Sequence, residues 1–145
     1  MSDIREIELG ETKLAGRAML ALRPRWETVD AIVDLVDNRL RPLGYRLIGV
    51  FDGVSDEAVS VLGFRPTFTS AWGQIVYVDD LSTLPEARGH GYADSLVQWI
   101  KAEAKRLGCE AVHLDSGVAA DRAPAHRLYM RNHLAITSHH FSVGV

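Results

Sequence analysis

The spacing of apolar residues divides the first third of the chain into one short extended segment and two helical ones. Residues 4–9 are predicted to form a first strand. Apolar side chains then recur at helical spacing over residues 11–22, which predicts a helix. A second apolar stripe over residues 29–40 follows Thr28, which is suited to cap a helix N-terminus, and ends before Pro42, which cannot continue a helix. The pattern therefore predicts one strand followed by two helices.

Three extended segments come next, at residues 45–51, 58–64 and 73–81. Asp52-Gly53, a dipeptide typical of turns, separates the first two. Consecutive strands usually lie side by side, and short connections favour antiparallel neighbours. These segments therefore predict an antiparallel meander.

After residue 91, apolar residues again recur at helical spacing, and this pattern is the clearest of its kind in the chain. It is carried by Ala93, Leu96, Val97, Ile100, Ala104 and Leu107. The stripe predicts a helix over residues 92–107 that ends at Gly108. The apolar residues around His113 then predict a strand over 110–115 that is buried on both faces. Together with strand 73–81, these two elements predict a parallel, right-handed βαβ unit.

The carboxy-terminal residues are predicted to form one more helix and one more strand. The helix is expected over residues 121–131, with Asn132 in the left-handed conformation that ends it. The strand is expected over residues 134–143.

The composition is ordinary for a globular protein, since 47% of the 145 residues are hydrophobic and 24% are charged. We therefore expect a single domain over residues 1–145. The net charge of −3 gives no basic footprint for nucleic acid, and no apolar run approaches the roughly 18 residues of a membrane span. The one cysteine, Cys109, excludes an internal disulfide framework. Because charged residues stand where a signal peptide would be apolar, we expect a cytoplasmic protein with no nucleic-acid or membrane partner.

The turn Gly89-His90-Gly91, preceded by Arg88, carries the strongest chemical signal. Glycines allow close approach of the backbone to a ligand, and the helix that follows offers free N–H groups to a phosphate. The turn lacks the lysine of a nucleoside triphosphatase loop. It also lacks the third glycine of a dinucleotide-binding turn, where Asp94 stands instead. A purely structural connection is the remaining alternative.

At this turn the sequence resembles the GNAT superfamily of N-acetyltransferases. The family signature is Gln/Arg-x-x-Gly-x-Gly/Ala, and Arg88, Gly91 and Ala93 match it. The order of predicted elements also matches. The resemblance implies an α/β (α+β) fold, a single GNAT-like domain with a mixed central sheet of about six strands in the order β-α-α-β-β-β-α-β-α-β.

The resemblance also implies acetyl-CoA as the acetyl donor. The fourth strand would carry a bulge and part from the fifth, so that an extended pantetheine arm could pair with its backbone. The residues implied for cofactor binding are Leu81, Ser82, Thr83, Arg88, Gly89, His90, Gly91, Tyr92 and Ala93. Arg122 stands where the family often has an asparagine, and it could meet a phosphate of the cofactor.

Three residues are the catalytic candidates. Tyr129 matches the tyrosine that often protonates the leaving sulfur in the family. Asp79 and Asp80 are the candidate bases, and only one of them can face the cleft unless a bulge intervenes. Asp79 is preferred because an acid often stands there in similar sequences. His113 is interpreted as a core histidine, and no metal is expected because metal-binding motifs are missing.

The predicted function is transfer of an acetyl group from acetyl-CoA to a primary amine of a small molecule or peptide, by direct attack in a ternary complex. Two alternatives are a non-catalytic acyl-CoA binding module on the same fold and a dinucleotide-binding protein. Phe68 and Trp72 could line the acceptor cleft. The arginines at 23, 25, 39 and 41 could favour an anionic acceptor or only form a solvated face. A homodimer is the default oligomer.

Overall fold

A five-stranded sheet organises the computed structural model, which describes residues 2–145. The strands are β1 (Asp3–Glu6), β2 (Arg46–Phe51), β3 (Ser60–Thr69), β4 (Gly73–Thr83) and β5 (Ala111–Leu114), and they lie in this order across the sheet. β1 to β4 pair antiparallel, and β5 pairs parallel to β4. The predicted meander and the predicted parallel pair are both confirmed.

Four α-helices connect and cover these strands. They are α1 (Gly16–Leu22), α2 (Val29–Leu35), α3 (Tyr92–Arg106) and α4 (Ala123–Arg131). A 3-10 turn precedes α1, and α2 continues through a π-helical turn over Val36–Leu40. Thr28 caps α2 as predicted, because its Oγ1 accepts a hydrogen bond from the amide of Ala31 at 3.1 Å. Gly108, at a φ of 75°, follows the end of α3 in the left-handed conformation.

The helices lie on opposite faces of the sheet. Phe64 of β3 packs edge-on against Trp99 of α3, with ring centroids 6.0 Å apart. On the other face, the buried Tyr45 hydroxyl lies 3.9 Å from Sδ of Met19 in α1. Apolar side chains of both layers therefore form a core on each side of the sheet. The largest fully buried side chains include Phe64, Ile7, Met19, Ile32, Leu47, Ile48, Leu62, Ile75, Leu96 and Ile100.

A β-bulge interrupts the register between β3 and β4. Gly63 pairs with Asp80 and the adjacent Phe64 pairs with Val78, so Asp79 is the extra residue on β4. Directly paired residues share a face of the sheet. Val78 therefore faces α3 with Phe64, whereas Asp80 faces α1. In a regular strand these two residues, two positions apart, would point to the same face, and the bulge places them on opposite faces.

The fold class is confirmed, but the predicted strand over 134–143 is not formed. These residues have no regular structure, and Ile136 and Phe141 are 75% and 89% exposed. An apolar alternation becomes a strand only when a neighbouring backbone pairs with it and a face is available to bury its side chains. The sheet consequently has five strands rather than about six.

Two smaller expectations at the carboxy-terminal end are also wrong. All four residues of β5 are half-buried rather than buried on both faces, because no strand among residues 2–145 pairs with its outer edge. The left-handed residue after α4 is His133, at a φ of 69°, and not Asn132, at −95°. The side chain of Asn132 turns inward instead and is needed for hydrogen bonds described below. Among residues 2–145, no helix is long and apolar enough to cross a membrane.

Candidate active site

β4 and β5 separate at the bulge and leave one edge of β4 open. β5 pairs only with Ile75 to Val78, whereas β4 continues to Thr83 paired with β3 alone. The backbone groups that point into the gap have no partner strand on that side. An extended ligand can pair with such an edge in the manner of an added strand. Leu81, Ser82 and Thr83, the residues predicted for the pantetheine arm, lie along this open edge.

The hydroxyl groups of Ser82 and Thr83 anchor the open strand to its neighbours. Ser82 Oγ donates to the carbonyl oxygen of Ala18 in α1 at 2.7 Å. Thr83 Oγ1 lies 2.7 Å from Oγ of Ser60 on β3. Because both hydroxyls are engaged, the segment offers a ligand its backbone rather than these side chains.

The glycine turn presents a group of free amides. Gly89 and Gly91 have φ angles of 83° and 77°, a region that side-chain-bearing residues avoid, so the turn requires glycine at both positions. Gly91 precedes α3, and no side chain caps the helix. Within the described chain, the amides of residues 89–93 donate no hydrogen bond to another residue. Several unpaired N–H groups at the positive end of a helix dipole form an anion-binding site.

The side chains around this turn leave it accessible. Arg88 is exposed and forms no ion pair with the residues that the structure describes. Nδ1 of His90 donates to the carbonyl oxygens of Ala87 and Arg88, each at 3.1 Å, which fixes the turn from within. The rings of His90 and Tyr92 stack with centroids 5.5 Å apart, and Ala93 is half-buried in the first turn of the helix. The predicted phosphate-binding residues are thus assembled in one place.

The two aspartates of β4 have different surroundings. Asp79, the bulge residue, accepts a two-pronged hydrogen bond from Arg65 at 2.8 and 2.9 Å. Asp80 is 7% exposed and faces α1. Its carboxylate accepts one hydrogen bond from the hydroxyl of Tyr45 at 2.7 Å and another from Nε of Arg23 at 2.9 Å. The structure therefore brings Asp80 toward the helical layer and commits Asp79 to Arg65.

Tyr45 and Arg23 are site residues that the sequence did not single out as partners of Asp80. Burial raises the pKa of the Tyr45 phenol well above its usual range, and the adjacent Asp80 carboxylate raises it further. The phenol is therefore a permanent hydrogen-bond donor to Asp80 at neutral pH. Arg23 also donates to the carbonyl oxygen of Asp79 at 2.8 Å. Periodicity could not reveal these contacts, because the partners lie 35 and 57 positions from Asp80.

Tyr129 lies half-buried on α4 with two arginines nearby. Burial raises the pKa of its phenol above the ordinary value of 10.0, while the charges of Arg122 and Arg23 oppose the rise. The phenol consequently keeps its proton at neutral pH and can donate it. The structure places Arg122, predicted for a cofactor phosphate, beside this phenol. Arg23, which donates to Asp80, also acts on the pKa of Tyr129 through its charge.

A hydrogen-bonded network joins the start of α3 to the end of α4. Asp94 accepts from Arg131 at 2.8 Å through both carboxylate oxygens, and from Nδ2 of Asn132 at 2.9 Å. Gln98 donates to Oδ1 of Asn132 at 2.7 Å. The guanidinium of Arg131 lowers the pKa of Asp94. This network holds the helix that carries Tyr129 against the helix that begins at the glycine turn.

Two histidines outside the glycine turn have structural contacts. Nε2 of His126 lies 3.1 Å from Oγ of Ser116 and 2.8 Å from the carbonyl oxygen of Gly117, so it ties α4 to the loop after β5. His113 is not a core histidine. It is half-buried and stacks on Trp72 with ring centroids 4.0 Å apart. Among the residues that the structure describes, no group of three or more His, Cys, Asp or Glu is arranged to hold a metal ion.

Comparison of the sequence with protein-family models identifies one match. The model of the acetyltransferase (GNAT) family matches residues 8–133, a range that contains all four helices and every candidate site residue. A search of curated proteins finds no match.

Solved structures with the same fold have low sequence identity to this chain. An acetyltransferase from Trypanosoma brucei is 16% identical, with a TM-score of 0.74 and coverage of 100% of both chains. A ribosomal-protein-alanine N-acetyltransferase from Brucella melitensis is 15% identical, with a TM-score of 0.81 and coverage of 100% of this chain and 99% of that one. An aminoglycoside acetyltransferase from an uncultured soil metagenomic sample is 17% identical, with a TM-score of 0.78 and the same two coverages. At these identities the likeness shows the fold alone.

Proposed function

The chain belongs to the acetyltransferase (GNAT) family, and from this premise we propose that it moves an acetyl group from acetyl-CoA to a primary amine. The amine belongs to a small molecule or a peptide and attacks the thioester directly in a ternary complex. The observation that carries the proposal is that two sets of unpaired backbone groups lie next to each other along the chain. The open edge of β4 ends a few residues before the free amides of the glycine turn.

These two sets of backbone groups suit the two halves of acetyl-CoA. The amides of residues 89–93 would hold the pyrophosphate, and Arg88 would add charge. The backbone at Leu81, Ser82 and Thr83 would pair with the amide-containing pantetheine arm. The N–H of Leu81 would then donate to the thioester carbonyl oxygen and stabilise the oxyanion that forms there. The Arg122 guanidinium would reach a cofactor phosphate or help to orient Tyr129.

On the acceptor side, we propose Asp80 rather than Asp79 as the proton acceptor. An alkyl amine has an unperturbed pKa of roughly 10.4, so it must lose a proton before it can attack. Asp80 faces the α1 layer beside the open edge, and its orientation is fixed by Tyr45 and Arg23. It would take the proton directly or through one water molecule. The two hydrogen bonds from Arg65 reserve Asp79 for a structural role at the bulge.

Tyr129 is the proposed general acid. The amine nitrogen forms a bond to the thioester carbonyl carbon, and the C–S bond breaks as the tetrahedral intermediate collapses. The departing coenzyme A thiolate takes the phenol proton of Tyr129. The ammonium group loses two protons on the way to an amide. The first passes to Asp80 before the attack, and the second leaves the nitrogen of the tetrahedral intermediate and returns the Tyr129 phenolate to a phenol through water. The half-buried phenol, whose pKa is raised, remains a donor over the neutral range.

Release of the coenzyme A thiol from acetyl-CoA in the presence of an amine panel tests this proposal. Wild-type protein should release thiol with at least one amine, and the acetylated amine should appear in equal amount by mass spectrometry. Folded protein that binds acetyl-CoA but acetylates no member of a broad panel would instead favour a binding module without catalysis. Location in the cytoplasm and assembly as a homodimer stay predictions from the sequence.

A further inference from the structure

A cavity of about 340 Å³ lies between α1, the turn after it and β4. Asp80 of β4 lines it, as do Arg25 and Trp26 of the short 3-10 turn Pro24–Trp26. We propose that this cavity binds the acceptor as an apolar α-amino acid, with its carboxylate on Arg25 and its amine toward Asp80. This inference rests on the proposed function and names the class of acceptor for the same site.

The wall of the cavity is apolar. Met19 and Ile32 are buried at its base, and Trp26, Leu35 and Leu40 complete it. An apolar wall favours a hydrocarbon ligand, because contact between the two removes apolar surface from water. The ligand should therefore carry an aliphatic or aromatic side chain.

Of the charged side chains that line the cavity, one positive group, Arg25, has no carboxylate partner among the described residues. Asp80 is paired with Arg23 at 2.9 Å, and Asp79 with Arg65 at 2.8 Å. Arg25 pairs with no carboxylate among residues 2–145. Its guanidinium lies over the ring of Trp26, 4.9 Å from the centroid, and stacking of this kind leaves the N–H edge free. The free edge matches a ligand carboxylate in charge and in shape.

The backbone next to Arg25 and Trp26 is held in an unusual conformation. Glu27 has a φ of 69°, in the left-handed region that residues with a side chain rarely adopt. A strained residue persists only where its surroundings fix it, and such residues concentrate at binding sites. The strained residue directly follows the two side chains of the turn that line the cavity.

One ligand must satisfy both Asp80 and Arg25, which line the same cavity. The amine has to lie near Asp80 and the start of the open edge at Leu81, because the thioester would lie there. The carboxylate has to meet Arg25, and the side chain lies on the apolar wall. A polyamine or an aminosugar would bring further positive charges toward Arg23 and Arg25, which costs free energy through like-charge repulsion. An apolar amino acid meets all three requirements.

Matched probes test this inference by calorimetry on protein saturated with coenzyme A. L-phenylalanine and L-leucine should bind, whereas phenethylamine and isopentylamine, which lack only the carboxylate, should bind at least about tenfold more weakly. Arg25→Gln should remove this preference. Arg39→Gln, an exposed arginine outside the cavity, should retain it.

Two results with wild-type protein would each overturn the inference: equal affinity for an amino acid and its matched amine, or no binding of either amino acid. An unchanged preference in Arg25→Gln would overturn the role of Arg25. Thiol release with simple amines would show in those cases that the proposed function stands and only the acceptor class is wrong. Failure to bind acetyl-CoA would instead remove the proposed function itself.

Discussion

Nε of Arg23 donates to Oδ1 of Asp80 at 2.9 Å, and this ion pair joins the end of α1 to the bulge in β4. The positive charge of the same guanidinium also opposes the rise in the pKa of the Tyr129 phenol. One arginine thus binds the proposed base and influences the proposed acid through its charge. Both residues of the pair also line the cavity proposed for the acceptor.

Replacement of Asp80 by Asn should lower kcat strongly. The amide keeps the shape of the side chain but cannot accept the amine proton, and general bases contribute roughly 10²- to 10⁴-fold to a rate. We expect a fall of about 10²-fold or more in steady-state assays of thiol release. Asp79→Asn is the matched control and should change kcat by only a few fold. If the two variants lose activity equally, the assignment of Asp80 over Asp79 is wrong.

Tyr129→Phe should lower kcat by roughly 10²-fold while acetyl-CoA affinity changes little, because the phenol acts on the leaving sulfur and not on the bound cofactor. The pH profile gives a second readout. Burial raises the pKa of Tyr129 above 10.0, so the phenol holds its proton below that pH and loses it only above. Loss of the Tyr129 proton should therefore not lower the wild-type rate below about pH 10. Over that range the pH profiles of wild type and Tyr129→Phe should have the same shape. A Phe variant with full activity would remove Tyr129 from the acid role.

Gly91→Ala should weaken acetyl-CoA binding because it disturbs the turn that presents the free amides. The φ of 77° at Gly91 costs a residue with a side chain about 1 kcal/mol, and the strain can be relieved only by moving the turn. Gly10, at a φ of 95° and with no atom near its missing Cβ, offers a control with similar backbone strain outside the site. Gly10→Ala should lose comparable stability in urea unfolding but keep its cofactor affinity. Equal cofactor affinity in both variants would contradict the role of the turn.

Glu103 should stabilise the fold in a pH-dependent way. Its buried carboxylate accepts from Arg106 and Arg46, and these bonds, chiefly those from Arg106, lower its pKa from 4.5 to about 2. A carboxyl whose pKa is lowered on folding contributes stability above its unfolded pKa and loses it as the pH falls toward the folded value. Glu103→Gln should therefore be less stable than wild type by about 2 kcal/mol at pH 7. The difference measured by urea unfolding should shrink as the pH falls from 4.5 toward 2. A difference that does not vary with pH would contradict the pKa shift.

Local patterns sufficed for the elements that we propose hold the cofactor. The stripe that ends at Leu107 predicted α3, and Gly89 with Gly91 marked the turn, because helical period and glycine spacing are properties of adjacent residues. The strand predicted over 134–143 failed for the opposite reason. Its alternation of apolar residues is present, but a strand also needs a partner edge and a surface for Ile136 and Phe141 to cover.

The acceptor side depends on contacts that no local pattern contains. Asp80 meets Tyr45 and Arg23 only because the bulge at Asp79 turns its side chain toward α1. A one-residue change of register is invisible in composition or periodicity, since both aspartates are equally polar. The sequence could therefore name the two carboxylates but not separate their roles.

Titration of acetyl-CoA into the folded protein, followed by calorimetry, tests the central claim most directly. The account predicts one binding site per chain, and an affinity about tenfold lower in Arg88→Gln because a charged contact to the pyrophosphate is lost. Arg39→Gln, which changes charge equally at a distance from the turn, should bind as wild type does. Absence of binding at millimolar acetyl-CoA by protein that is folded by circular dichroism would contradict the account.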